Sequence, residues 1–230
     1  MATAQNHLIE LLPRRERARL LALCEPVQLV LAELLVEPGQ SPSHVYFPTE
    51  GFVSLLAVTE GSPALEVGMV GREGMLGMHL ALGVSQAPVR ALVQGAGASW
   101  RIAAGVFSTE LDASPALRAV LLRYVQVCLV QFAASAVCLR FHQVEPRLAR
   151  WLLMTQDRAH RPQFHVTQEF LAYMLGVRRV GVTAAASDLQ KRGLIQYHRG
   201  KMQVLDRPGL EQAACGCYAD AQRAYKSVLG

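Results

Sequence analysis

Four cations stand in a context where they could engage a polyanion. Arg178 and Arg179 follow directly on the run Thr167-Gln168-Glu169-Phe170-Leu171-Ala172-Tyr173-Met174-Leu175-Gly176-Val177, and Arg199 and Lys201 flank Gly200. Arginine at the start of a helix can hydrogen-bond base edges or phosphates, and lysine in a turn suits phosphate. Val180 and Thr183 share the leading turns with the arginine pair, one offering apolar contact and the other a hydroxyl. The charge of the chain is placed to match. Residues 140–207 hold 12 Lys/Arg against 5 Asp/Glu, whereas residues 1–139 hold 9 against 11. Positive charge gathered into one segment is the footprint of a polyanion-binding module, although a solvated basic face would carry it too.

Other residues with chemical potential carry less. Cys215-Gly216-Cys217 hints at a metal or at redox chemistry. Two cysteines do not complete a structural zinc site and no histidine is near in sequence, so a surface tail without metal is expected. Cys24 is alone in the N-terminal region, which speaks against an iron–sulfur cluster there. His44, His79 and His142 are scattered, and nothing favours them as haem ligands. Gly68, Gly71, Gly74 and Gly77 recur every third residue and could line a phosphate pocket or simply make turns. Gly95-Ala96-Gly97 lacks the third glycine of a dinucleotide fingerprint, and no catalytic constellation is present, so an enzyme is not expected.

The cations need elements to hold them. Thr167 can cap a helix whose apolar face is Leu171, Met174 and Leu175, with Glu169 favourable in the first turn. Gly176 supplies the left-handed residue that ends this helix. Val182, Ala185, Ala186 and Leu189 give a second helix its buried face, and small Ala172 lets the two cross closely. Such spacing makes a helix-turn-helix with Arg178 and Arg179 at the leading end of the second helix; a plain helical hairpin is the alternative. Leu194 to Val204 reads as strand, turn, strand, a wing with Arg199 and Lys201 at its tip.

Upstream, Asn6 to Leu23 is helical, capped by Asn6 and split by Pro13. Val27–Val36, Val45–Phe47, Phe52–Thr59, Leu65–Val70 and Val89–Val93 are short apolar runs separated by Gly and Pro, which predicts an antiparallel β-roll or barrel. Pro115 opens a helix to about His142, roughly 42 Å long at 1.5 Å per residue. Leu117, Leu121, Tyr124, Cys128, Gln131, Ser135, Cys138 and His142 step by 4 and 3 along it, a heptad seam that predicts a homodimer; a core helix of a single chain is the alternative. The uncharged stretch Tyr124–Leu139 is too short to span a membrane. Glu145-Pro146 marks a break, and Arg158 to Pro162 a basic linker. The N-terminus has no apolar core ahead of Arg14, Arg15, Arg17 and Arg19, so no signal peptide is expected, and free cysteines point to the cytoplasm.

The chain resembles the Crp/Fnr regulators. The resemblance rests on Arg147-Leu148-Ala149-Arg150-Trp151-Leu152-Leu153, on Thr167 to Arg179, and on Leu205-Asp206-Arg207-Pro208-Gly209-Leu210. Tyr46-Phe47-Pro48 to Ser54-Leu55 and Gly71 to Gly77 look like hairpins of that family's sensory roll. The resemblance implies an α+β fold: a cyclic-nucleotide-binding-like β-roll over residues 1–113, a dimerisation helix over 114–142 and a winged helix-turn-helix over 143–230. It implies double-stranded DNA with a near-palindromic operator as partner, a homodimer, and RNA polymerase as a further contact. DNA would be touched by Thr167, Gln168, Arg178, Arg179, Val180, Thr183, Arg199 and Lys201. The effector pocket would fall at Gly74, Met75, Ser85, Phe132 and Ala133. The cyclic-AMP-responsive members carry a Gly-Glu pair, an arginine and helix hydroxyls at those places. Their absence here implies that cyclic AMP is not the effector and that no cofactor is bound. A ligand-binding module whose helix-turn-helix serves protein contacts is the other reading, and the charge split argues against it.

Overall fold

The computed structural model describes residues 5–159 and 163–230, so the end of the expected linker, 160–162, lies outside the described residues. Asn6 caps α1 (His7–Glu10), Pro13 separates it from α2 (Arg14–Ala22), and seven strands follow. These are β1 (Glu25–Leu29), β2 (Leu34–Val36), β3 (His44–Pro48), β4 (Phe52–Ala57), β5 (Leu65–Val70), β6 (Arg90–Gly95) and β7 (Gly97–Ala103). They form two antiparallel sheets in the orders β1-β7-β3 and β2-β6-β4-β5. The expected single run Val27–Val36 is thus two strands. It divides at Ala32, whose left-handed backbone (φ 66°) turns the chain from one sheet to the other.

Strand β7 and α3 (Ala104–Ala113) were not foreseen; β7 reads Gly-Ala-Ser-Trp-Arg-Ile-Ala, poor in β-formers, and is held by pairing on both edges. Ser114 caps the next helix through Leu117 N, and Pro115 sits where no amide donor is needed, so α4 runs Pro115–Phe141. Leu117, Leu121, Tyr124, Cys128, Ser135 and Cys138 are all buried within the chain, against the roll and the C-terminal helix. The expected dimer seam is therefore corrected. That stripe packs intramolecularly, and the face left open is Leu122, Gln126, Leu129, Ala133, Val137 and Arg140, which also steps by 3 and 4. The helix is long and apolar enough to cross a membrane, but its apolar face is the core of this fold.

The break falls at His142–Gln143. Helix α5 (Val144–Ala159) accommodates Pro146 in its first turn, where no intrahelical donor is lost. Then come β8 (Gln163–His165), α6 (Gln168–Leu175), α7 (Arg179–Lys191), β9 (Ile195–His198), β10 (Lys201–Val204), α8 (Arg207–Ala213) and α9 (Cys217–Leu229). β8 was not foreseen; it joins the wing in a sheet of order β8-β10-β9.

Leu148, Leu152 and Leu153 of α5 are fully buried beneath α6, α7 and β10, at about 1.5–3 kcal/mol for each side chain. The same core takes in Phe52, Leu56, Ala64 and Met69 of the roll, so the helix-turn-helix is docked on β4 and β5. Within that contact the Glu66 carboxyl accepts from Trp151 Nε1 at 2.9 Å and from Ser54 Oγ. Burial pushes its pKa up to about 7. α9 lies along α4, and its Tyr225 hydroxyl meets His7 Nδ1 at 2.6 Å and the Glu73 carbonyl at 2.7 Å.

Candidate nucleic-acid interface

Helix α6 begins as its sequence demands. Thr167 Oγ1 accepts from Phe170 N at 3.1 Å, and Gly176 ends the helix with φ 61°. The buried Arg147 guanidinium donates to the Leu175 carbonyl, satisfying one acceptor at that end. Arg178 is the extended residue ahead of α7, and Val182, Ala185, Ala186 and Leu189 turn inward from it. That leaves Arg178, Arg179, Val180 and Thr183 exposed on its leading turns, with Val180 73% exposed. Thr183 Oγ1 lies 2.8 Å from Gln168 Oε1, so the start of α6 and the start of α7 form one polar surface.

The wing turn is Arg199-Gly200, both residues left-handed (φ 48° and 79°), which is the two-residue hairpin geometry matched to strand twist. Glycine serves at the second position because a β-carbon there would meet the His165 ring. Lys201 pairs across the sheet with His165 on one side and His198 on the other. His165 was missed, since β8 has only three residues and no strand signal of its own; His198 ends the expected wing strand β9.

Ion pairing divides the cations of this domain into two groups. Arg158 pairs with Glu73, Arg192 with Glu145, Arg207 with Asp157 and Glu211, and Lys191 with Asp188. Among the described residues Arg178, Arg179, Arg199 and Lys201 have no carboxylate partner. All eight residues expected to touch DNA lie on the start of α6, the start of α7 or the wing.

The five residues expected to line an effector pocket differ in their surroundings. Met75 is buried in the roll core, and Ala133 and Ser85 are exposed, Ala133 on the open face of α4 and Ser85 in the loop before β6. A side chain at Gly74 would collide with the Tyr124 hydroxyl, and the Phe132 ring stands over Gly68. A cleft of about 690 Å³ does lie between α5, α8, α9 and the Arg72–Glu73 turn, and none of the five lines it.

Cys215 and Cys217 are corrected from a surface tail to buried positions at the start of α9. The fold sets them beside Cys138 and His142 from the last turn of α4, a Cys/His group that could hold a metal. The missing signal was the pair Cys138 and His142, one helical turn apart, whose neighbours come from far along the chain. The hydrogen bond between Cys138 and Cys215 pulls the Cys138 thiol below the ordinary value and pushes Cys215 above it.

Residues 146–213 match the Crp-like helix-turn-helix domain family. No curated protein matches the chain by sequence. Among solved structures it is similar to FixK2 of Bradyrhizobium japonicum (13% identity, TM-score 0.70, 84% of this chain and 98% of that one). It is also similar to the Crp/Fnr-family transcriptional regulator TTHA1359 of Thermus thermophilus (24%, 0.66, 83% and 98%). A third is CLP of Xanthomonas campestris, a c-di-GMP-responsive global regulator (18%, 0.67, 84% and 100%). TTHA1359 and CLP are regulators. The chain has the Crp/Fnr-type transcription-regulator fold, with a Crp-like helix-turn-helix DNA-binding domain over residues 146–213.

Proposed function

We propose that this chain is a homodimeric regulator that reads a near-palindromic operator in double-stranded DNA, with Arg178, Arg179, Val180 and Thr183 in the major groove. The observation that carries the reading is the group of unpaired cations on the leading end of α7 and on the wing, in a domain whose other arginines are largely ion-paired. Thr167 and Gln168 extend that surface at the start of α6, and Arg199 and Lys201 track the phosphate backbone. The open stripe of α4, with Leu122, Leu129 and Val137 each 46–57% exposed, is the face for the second copy. The domains follow the elements: roll to 113, dimer helix 114–142, reader 143–230. The roll is degenerate as a cyclic-nucleotide site, because the Tyr124 hydroxyl crowds Gly74 and Phe132 occupies the space over Gly68. The regulator works in the cytoplasm, where its operator is.

Salt dependence of duplex binding tests the phosphate contacts. Lys201→Ala is expected to weaken operator and random duplex equally and to flatten the slope of log K against log salt by about one unit. Unchanged binding to random duplex would remove the wing from the backbone. Binding to a protein partner with no affinity for duplex would favour the interaction-module reading.

A further inference from the structure

Four donor atoms that DNA binding does not use meet where α4 ends and the reader begins. The sulfurs of Cys138, Cys215 and Cys217 and a ring nitrogen of His142 all lie within 4.8 Å of one another. Cys138 Sγ is 3.5 Å from Cys215 Sγ, and Cys217 Sγ is 3.6 Å from His142 Nδ1. A tetrahedral ion bonded at about 2.3 Å to sulfur and about 2.0–2.1 Å to nitrogen sets neighbouring donors roughly 3.5–3.8 Å apart. The sulfur–nitrogen separation falls on the shorter edge, and the sulfur–sulfur separation is about 0.3 Å inside the longer one. An iron–sulfur cluster places several irons and sulfides between its thiolates and needs them spread wider.

The donor set is soft, three thiols and an imidazole with no carboxylate among the four, which selects zinc over magnesium, calcium or manganese. All four positions come from the protein and three are buried, the pattern of a closed structural site. Three thiolates and a divalent ion leave one negative charge. Arg147 and Arg150 flank Cys138 to balance it, and Arg150 Nε is buried with no hydrogen-bond partner, a donor free for a metal-bound sulfur. Cys24 and Cys128 lie elsewhere, in the core of the roll and α4.

We infer that Cys138, His142, Cys215 and Cys217 bind one zinc ion, which clamps the start of α9 to the end of α4. The far end of α9 is already held by Tyr225 and by Leu229 in the roll core. The zinc therefore completes a strap across the joint between dimer helix and reader. The inference does not depend on DNA, so metal content tests it separately from the proposed function.

The full chain, purified under reducing conditions without chelator, is expected to carry about one zinc per chain by mass spectrometry of metals. Stripped of zinc and titrated with cobalt(II), it should show the visible bands of tetrahedral cobalt and thiolate-to-metal charge transfer, saturating at about one equivalent. Cys217→Ser and Cys138→Ser should fall to roughly a tenth of that content, whereas Cys24→Ser should keep it. The cobalt titration of the unaltered chain stands even if a variant misfolds. Reduced protein that holds no zinc and gives no cobalt spectrum would overturn the site. A Cys138–Cys215 disulfide in protein prepared without air, or bound iron with inorganic sulfide, would overturn it as well.

Discussion

In the helix-turn-helix, Arg178, Arg179, Arg199 and Lys201 reach into solvent without carboxylate partners, whereas in the roll the expected pocket position Gly74 and the neighbouring Gly68 are crowded from within. Tyr124 sits where a side chain at Gly74 would have to go, and Phe132 covers Gly68. One region leaves charge uncompensated at a cost in self-repulsion; the other packs aromatic rings against its glycines. The two regions share one core, in which Phe52, Leu56 and Met69 of the roll pack beneath the helix-turn-helix.

The comparison breaks most visibly at the dimer helix. Leu129→Glu places a charge on the open apolar stripe, 57% exposed in the single chain, so the monomer should fold and fail to pair. Sedimentation should report half the mass, and operator affinity should fall about a thousandfold, toward the nonspecific level. A dimer that survives the change would move the interface elsewhere. Next in size is Arg179→Ala. Loss of a bidentate guanine contact costs about 1–3 kcal/mol of discrimination at each half-site, while random duplex should keep most of its affinity. Equal loss on both duplexes would make Arg179 a phosphate clamp and Arg178 the reader.

A smaller effect should come from the contact between the two regions. The Glu66 carboxyl is raised to about 7 by burial between Ser54 and Trp151, so its protonated form favours docking. The sign follows: this stabilisation is full below the ordinary carboxylate value of 4.5 and is lost as pH rises through about 7. Hydrogen exchange at β5 and α5 should therefore quicken across that window, and Glu66→Gln should flatten the pH dependence. The smallest expected signal is cyclic AMP in calorimetry, where no saturable heat at micromolar concentration is expected. Saturable binding would mean that the roll opens a pocket past Phe132.

What could be read in the sequence was what is encoded locally. Thr167, Gly176 and the inward Val182, Ala185, Ala186 and Leu189 lie within one short stretch, and each lands where its spacing demands. The wing turn, Arg199-Gly200, is equally local. Features that depend on distant partners were not legible. The long helix is apolar on several faces, so its heptad pattern fitted two stripes, and only the docking of α9 and the roll decides which one is buried. Strand β7 has little intrinsic preference and exists because β1 and β3 pair with it. Cys138 and His142 gain meaning only when a helix beginning at Cys217 folds back beside them.

The central claim is that the leading turns of α7, repeated by a two-fold axis, read DNA sequence. Selection of bound sequences from a pool of random duplex DNA tests it most directly. The account predicts enrichment of a near-palindrome whose half-site centres lie about 34 Å apart, one helical turn, with a guanine in each half that is no longer selected by Arg179→Ala. A pool that yields no enriched sequence, or a single unrepeated element bound by one chain, would contradict it.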